Sequence, residues 1–178
     1  MNTGVIAVRY ARALLKCALE MKLEKEVYQE MMILSDCFMR VADFKQTISN
    51  PLLNGKNKQS LIETACGNNT SELTKNFISL VLRGGRENIL QYMAASYITL
   101  YRQQKNIICG KLITATAVTT DIQNRMEQLI HSKSAGTIQL QSEINSDIIG
   151  GFILEYDSYR MDASVQTQLT HILKQLKK

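Results

Sequence analysis

Apolar residues recur at helical spacing through roughly the first hundred positions, and the pattern then changes. Over residues 5–41 they fall at Ile6, Tyr10, Ala13, Leu14, Cys17 and Met21, then at Val27, Met31, Leu34, Phe38 and Val41. This spacing predicts two antiparallel helices. A shorter pair, Phe44 and Ile48, ends at Asn50-Pro51, because proline pushes the residue before it out of the helical region. Leu61, Ile62, Ala65 and Cys66 mark a fourth helix ending at Gly67. Ser71 then caps a fifth, with Leu73, Phe77, Ile78, Leu80, Val81 and Leu82 inside it and Gly84-Gly85 as its stop. A sixth is expected over about residues 87–104, through Ile89, Leu90, Met93, Ala94, Tyr97, Ile98 and Tyr101. Six helices joined by short turns make a bundle.

Beyond Lys105 the chain turns β-branched. Residues 107–117 and 137–144 read as strands, with Ile138, Leu140 and Ile144 alternating in the second. Between them Thr120 caps an expected helix through Ile122, Met126, Leu129 and Ile130. A third strand is expected over residues 148–156, turning at Asp157-Ser158 into a short return. Ser164 caps a closing helix with Val165, Leu169, Ile172, Leu173 and Leu176. The fold class is therefore mostly α: a six-helix bundle over residues 1–105 and a small α+β domain over residues 106–178.

The first helix has more apolar surface than one core requires. Arg9, Arg12, Lys16 and Glu20 take less than about a third of its circumference, and apolar residues from Ile6 to Ala18 cover roughly 240°. A central position in the bundle accounts for such a face; so does a groove for a partner helix. Small residues (Ala7, Ala11, Ala13, Ala18) beside Tyr10 and Leu14 would let an amphipathic helix approach closely. Asn76, Leu80 and Arg83, at the edge of the fifth helix's apolar arc, would form the second wall.

Charge sharpens the division into two domains. Of the 178 residues, the first 105 carry 14 Lys and Arg against 9 Asp and Glu, and the remainder 7 against 7, so the whole net charge of +5 is N-terminal. Basic residues are interspersed with acids, as in Lys22, Glu24, Lys25 and Glu26, and there is no tryptophan. Nucleic-acid binding is disfavoured, since it calls for a basic cluster with aromatic platforms. Cys17, Cys37, Cys66 and Cys109 are widely spaced and accompanied by only two histidines, which argues for reduced packing residues and against a zinc site. Gly84-Gly85 and Gly150-Gly151 match no phosphate-loop pattern. His131 and His171 lack a nucleophile and acid at useful spacing, and Glu143, Asp147, Glu155, Asp157 and Asp162 lack metal-ligand spacing. No catalytic, cofactor or metal site is expected. Neither a membrane-spanning run nor a leader is expected either, so the protein should meet a membrane only through partners.

Four short motifs in order, Arg9-Tyr10-Ala11-Arg12-Ala13-Leu14, Asn50-Pro51, Asn76-Phe77-Ile78 and Ile149-Gly150-Gly151-Phe152 followed by Asp162-Ala163-Ser164-Val165, carry a resemblance. Together they resemble the delta subunit of the F-type ATP synthase, the family of the mitochondrial oligomycin-sensitivity-conferring protein. The resemblance implies a non-catalytic stator of the peripheral stalk that resists the torque of proton-driven rotation. It implies a helical domain binding the N-termini of alpha subunits, through Tyr10, Ala13, Leu14, Asn76, Leu80 and Arg83. It implies a C-terminal domain binding the end of the b subunits, for which Val165, Leu169 and Leu173 of the closing helix are favoured. The expected location is the cytoplasmic face of a bacterial inner membrane. The family pattern has Asp-Gly-Ser where this chain has Asp162-Ala163-Ser164, which puts the last turn in question. A helical adaptor of some other complex is the alternative.

Overall fold

A computed structural model describes residues 3–67, 69–117, 136–156 and 159–176. The chain divides into two compact units, residues 1–103 and 104–178.

The first unit is built from α1 (Thr3–Met21), α2 (Glu24–Arg40), α3 (Phe44–Ser49), α4 (Gly55–Cys66), α5 (Glu72–Arg83) and α6 (Leu90–Gln104), with a 3-10 turn at Glu87–Ile89 leading into α6. Helical periodicity becomes packing here. Val27, Met31 and Leu34 of α2 are fully buried with Ile48, Ile62, Ile78, Val81, Leu90, Met93 and Tyr97 from the helices around them. Each such side chain contributes about 1.5–3 kcal/mol by leaving water. Asn50 leaves the helical region at ψ 120, before Pro51, and ends α3 where the sequence requires it.

Two polar ties fix helices that hydrophobicity alone would leave free to slide. Glu30 is buried on the core face of α2, and its Oε2 accepts from the Ser71 hydroxyl at 2.9 Å and from the Thr74 hydroxyl, while its Oε1 accepts from the Ser71 backbone N–H. The Ser71 hydroxyl also accepts from Thr74 N–H, capping α5 as the sequence indicates. A carboxylate at a helix N-terminus offsets the positive end of its dipole. The second tie is the Lys58–Glu87 ion pair, 2.8 Å long and largely buried, which joins α4 to the turn before α6.

The second unit holds a four-stranded sheet of β1 (Ile107–Thr114), β2 (Thr137–Ile144), β3 (Phe152–Tyr156) and β4 (Tyr159–Asp162), in the order β2-β1-β3-β4. β1 pairs parallel with β2, from Ile107 opposite Thr137 to Thr114 opposite Ile144, and antiparallel with β3. Parallel pairing of consecutive strands needs a crossover. The helix expected through Ile122, Met126, Leu129 and Ile130 lies outside the described residues, as do His131 and the Asp157-Ser158 turn. Leu112, Leu154 and Tyr156 form the core, with Ile108, Leu140 and Phe152 against it. The unit closes with α7 (Val165–Leu176).

Two strand boundaries differ from the periodicity reading. β1 ends at Thr114, where its hydroxyl donates to the Thr116 carbonyl and turns the chain. The third strand starts at Phe152 and not at 148, because Ser146–Ile148 form a 3-10 turn and Ile149 takes φ 67, ψ −40. The Gly150 N–H donates to the Ile148 carbonyl at 2.8 Å, closing a three-residue turn of positive φ that no strand can contain.

Candidate functional site

An apolar helical stripe remains open on each unit, on α1 in the first and on α7 in the second, and α2 also exposes Met32, Ile33 and Met39. On α1 the core takes a single stripe, Ala7, Ala11, Leu14, Leu15 and Ala18. Beside that stripe, Ile6 and Tyr10 are half-buried and Ala13, Cys17 and Met21 exposed. At about 100° per residue these five form a second apolar stripe adjoining the first. Two expectations need correcting. Leu14 is only 4% exposed, because it shares a face with Ala7 and Ala18 and is claimed by the core, so it holds the helix and offers no contact surface. Ala7, Ala11 and Ala18 are likewise spent inside the bundle, leaving Ala13 as the small residue facing outward.

Tyr10 joins α1 to α5. Its ring meets Phe77 edge-on, with centroids 6.4 Å apart and planes at 67°. The Arg86 guanidinium lies 5.3 Å from the centre of the same ring, and Arg86 Nη1 donates to the Tyr10 hydroxyl at 2.6 Å. On α5, Thr74, Phe77, Ile78 and Val81 are buried, while Asn76, Leu80 and Arg83 are exposed. Leu80, one turn from Phe77, is 57% exposed. Tyr10 thus forms a seam between α1 and α5 at Phe77, and from it exposed Ala13 and Cys17 continue along one helix and exposed Leu80 along the other. Sequence reasoning missed Arg86, which lies beyond the helix stop. Its position follows from a Schellman turn: Gly85 N–H donates to Leu82, Arg86 N–H donates to Val81, and Gly85 sits at φ 59. The positive φ that glycine allows there sends the chain back toward α1.

The second surface is α7, none of whose residues is buried. Leu169, Ile172, Leu173 and Leu176 are exposed at helical spacing, and Val165 is half-buried. The helix is held by its start. Asp162 Oδ1 accepts from the Ser164 N–H and hydroxyl, Asp162 Oδ2 from the Thr167 hydroxyl, and Ser164 Oγ from the Thr167 N–H. The hydrogen bonds from Ser164 first, then that from Thr167 and the charge of Arg160, hold the Asp162 carboxyl below its usual range. Ala163 N–H donates to Phe152 and Val165 N–H to Gly150, so the two halves of the C-terminal motif meet. Gly151, at φ 75, lies against Ala163: a Cβ there would sit 2.2 Å from the Ala163 carbonyl oxygen. The demand for glycine in this turn falls on Gly151. Ala163 itself does not need a positive φ, which settles the Asp162-Ala163-Ser164 departure.

The remaining chemistry is structural. Cys66 is buried, and its thiol is pushed up to about 12 by burial and then by Glu30, Cys37 and Glu63. Cys17 is exposed, so it is no packing residue. Burial opposes ionisation of Glu87, but the hydrogen bond and charge of Lys58 outweigh it and lower its carboxyl. Among the described residues no group of three or more His, Cys, Asp or Glu could hold a metal ion, and no helix is long and apolar enough to cross a membrane. An open apolar helix face on each unit is the kind of surface that a protein-binding subunit presents.

Comparison with known proteins gives the chain a family. The model of the ATP synthase delta (OSCP) subunit matches residues 6–176. The chain is 44% identical to the ATP synthase subunit delta of Phocaeicola vulgatus over 176 residues, 98% of this chain and 95% of that one. It is 37% identical to the same subunit of Bacteroides thetaiotaomicron, again over 98% of this chain and 95% of that one. A chain in the cryo-EM structure of the Toxoplasma gondii mitochondrial ATP synthase hexamer has the same fold, with a TM-score of 0.65, 18% identity and 97% of each chain covered. The chain belongs to the ATP synthase delta (OSCP) subunit family. It is a peripheral-stalk component and not the catalytic subunit.

Proposed function

We propose that the chain is a two-ended strut, with residues 1–105 binding the catalytic head and residues 106–178 binding the stalk. The seam between α1 and α5 receives an amphipathic helix from the N-terminus of an alpha subunit, against Tyr10, Ala13, Asn76, Leu80 and Arg83. The α7 face, through Val165, Leu169 and Leu173, receives the end of the b subunits. The site of action is the cytoplasmic face of a bacterial inner membrane, reached through the assembled enzyme. Resistance to torque comes from contact area and packing at both ends, which need no chemistry.

The observation that carries this reading is that α1 in the first unit and α7 in the second each leave a helical apolar stripe uncovered after the core is filled. Calorimetric titration of the full chain with the alpha-subunit N-terminal peptide of the same organism tests it. Binding is expected to fall at least about a hundredfold in Tyr10→Asp, since a charge would have to be buried against Phe77. Unchanged binding by a folded Tyr10→Asp protein would remove the seam as the docking site.

A further inference from the structure

The α1–α5 seam is flanked by cations, and one of them is pre-oriented. Arg86 is exposed, yet its guanidinium is fixed twice, by the hydrogen bond to the Tyr10 hydroxyl at 2.6 Å and by its position 5.3 Å from the centre of that ring. Its backbone is fixed as well, by the hydrogen bond from its N–H to Val81 in the Schellman turn. One of its five N–H donors is used, and none of the carboxylates among the described residues pairs with it. Arg83, three residues earlier and exposed, also has no acidic partner there. On α1, exposed Arg9 and Lys16 border Ala13 on the wheel.

A helix end explains part of this, because cations suit the negative end of the α5 dipole. It does not explain why Arg86 is turned back from that end onto Tyr10. We propose that Arg86 is a specificity residue of the seam: its occupant is an amphipathic helix bearing a carboxylate beside its apolar face, and that carboxylate pairs with the Arg86 guanidinium. This rests on the reading of the seam as a docking site. Arg86 is suited to the task because little rotamer freedom is left to lose, and a planar guanidinium takes a carboxylate through two parallel hydrogen bonds. A basic or neutral amphipathic helix would bury the same apolar area but face uncompensated cations, which is discrimination by repulsion.

The test is a double-mutant cycle by calorimetry on the full chain, with the alpha-subunit N-terminal peptide as probe. Each Asp and Glu of the peptide is changed in turn to its amide, against wild type, Arg86→Gln and Arg86→Lys, with thermal melting to confirm that each protein is folded. Arg86→Gln is expected to weaken binding about three- to tenfold, the range for a partly exposed, well-oriented pair. One peptide amide should cost the same, the two together should cost no more than either, and the difference should shrink in high salt. Arg86→Lys should recover only part of the loss. Tight wild-type binding with Arg86→Gln unchanged, or with strictly additive losses, overturns the role of Arg86 and leaves the docking seam standing. Failure of the wild type to bind the peptide overturns both.

Discussion

α1 and α7 each present an apolar stripe to solvent, but they come by it differently. α1 is anchored along its length by Ala7, Ala11, Leu14, Leu15 and Ala18, and its open stripe adjoins that buried one. α7 has no buried residue, and a cluster around Asp162 and Ser164 together with Gly150-Gly151 holds its first turn. A partner of α1 meets a surface already shaped by the bundle; a partner of α7 meets a helix none of whose residues is buried. The first arrangement favours fit and discrimination, since pre-organised contacts lose less entropy on binding. The second favours area, and ties the partner's grip to how firmly one turn is seated.

The strongest way to break the comparison is to unseat α7. Gly151→Ala is expected to destabilise the C-terminal unit by at least about 3 kcal/mol, because it forces a side chain into both a positive φ and a backbone oxygen. Hydrogen exchange on the full chain should show loss of protection through β3 and the start of α7, with α1 to α6 unchanged. Retained protection in β3 would mean that the turn relaxes around the new methyl group.

In the helical unit the corresponding weak point is electrostatic. Lys58→Met should cost about 2–3 kcal/mol, by leaving the largely buried Glu87 carboxylate without its partner. It should also change the acid limb of stability. Glu87 is lowered in the folded protein, so its contribution is present above the ordinary carboxylate range and is lost as pH falls through that range toward the folded value. Chemical denaturation of wild type and Lys58→Met between pH 7 and pH 3 checks this, as the two curves should converge in acid. A constant gap across the range would show that packing of the lysine stem, and not its charge, accounts for the loss.

Little of this electrostatics was legible in the sequence, and the reason is specific. The 3.6 period identified α1 to α6 because each buries a stripe, and Ser71 announced the start of α5. Periodicity names a face but not its neighbour. Leu14 and Ala13 are adjacent in sequence and both apolar, yet one is core and the other surface, and only the packing of the bundle separates them. Arg86 lies in a turn, where no period applies, and its role depends on a residue 76 positions away. Glu30 gave a fainter signal, an acid in register with Val27, Met31 and Leu34, which a buried partner had to answer. β3 was read as starting too early because Ile148 and Ile149 look like strand residues, although one is core in a 3-10 turn and the other stands at a positive φ.

Cysteine chemistry distinguishes open seam from closed core without a mutation. Cys17 is exposed on the outward stripe of α1, whereas Cys66 is buried with its thiol raised to about 12. Maleimide should label Cys17 quickly and leave Cys66 untouched until denaturant is added. The alpha-subunit peptide should slow labelling of Cys17 by about tenfold at ninety per cent occupancy, by mass action on the free form. Labelling of Cys17 at the same rate with peptide bound would put the occupied surface elsewhere.

The smallest expected effect addresses the turn before α7. Ile149 is β-branched, 62% exposed and held at φ 67, a conformation that costs such a residue about 1–3 kcal/mol and gains little burial in return. Ile149→Gly removes that strain but adds freedom to the unfolded chain, worth about 0.5–1 kcal/mol in the opposite direction. The balance is a stabilisation of about 0.5–2 kcal/mol, seen as a rise of a few degrees in the melting of the C-terminal unit. The same variant, titrated with a peptide from the end of the b subunit, shows whether the exposed isoleucine serves that contact. Higher stability with weaker binding would mean that strain is retained because the side chain grips a partner. Higher stability with unchanged binding would confine the partner surface to the α7 stripe itself, and lower stability would show that the isoleucine packs where its exposure says it does not.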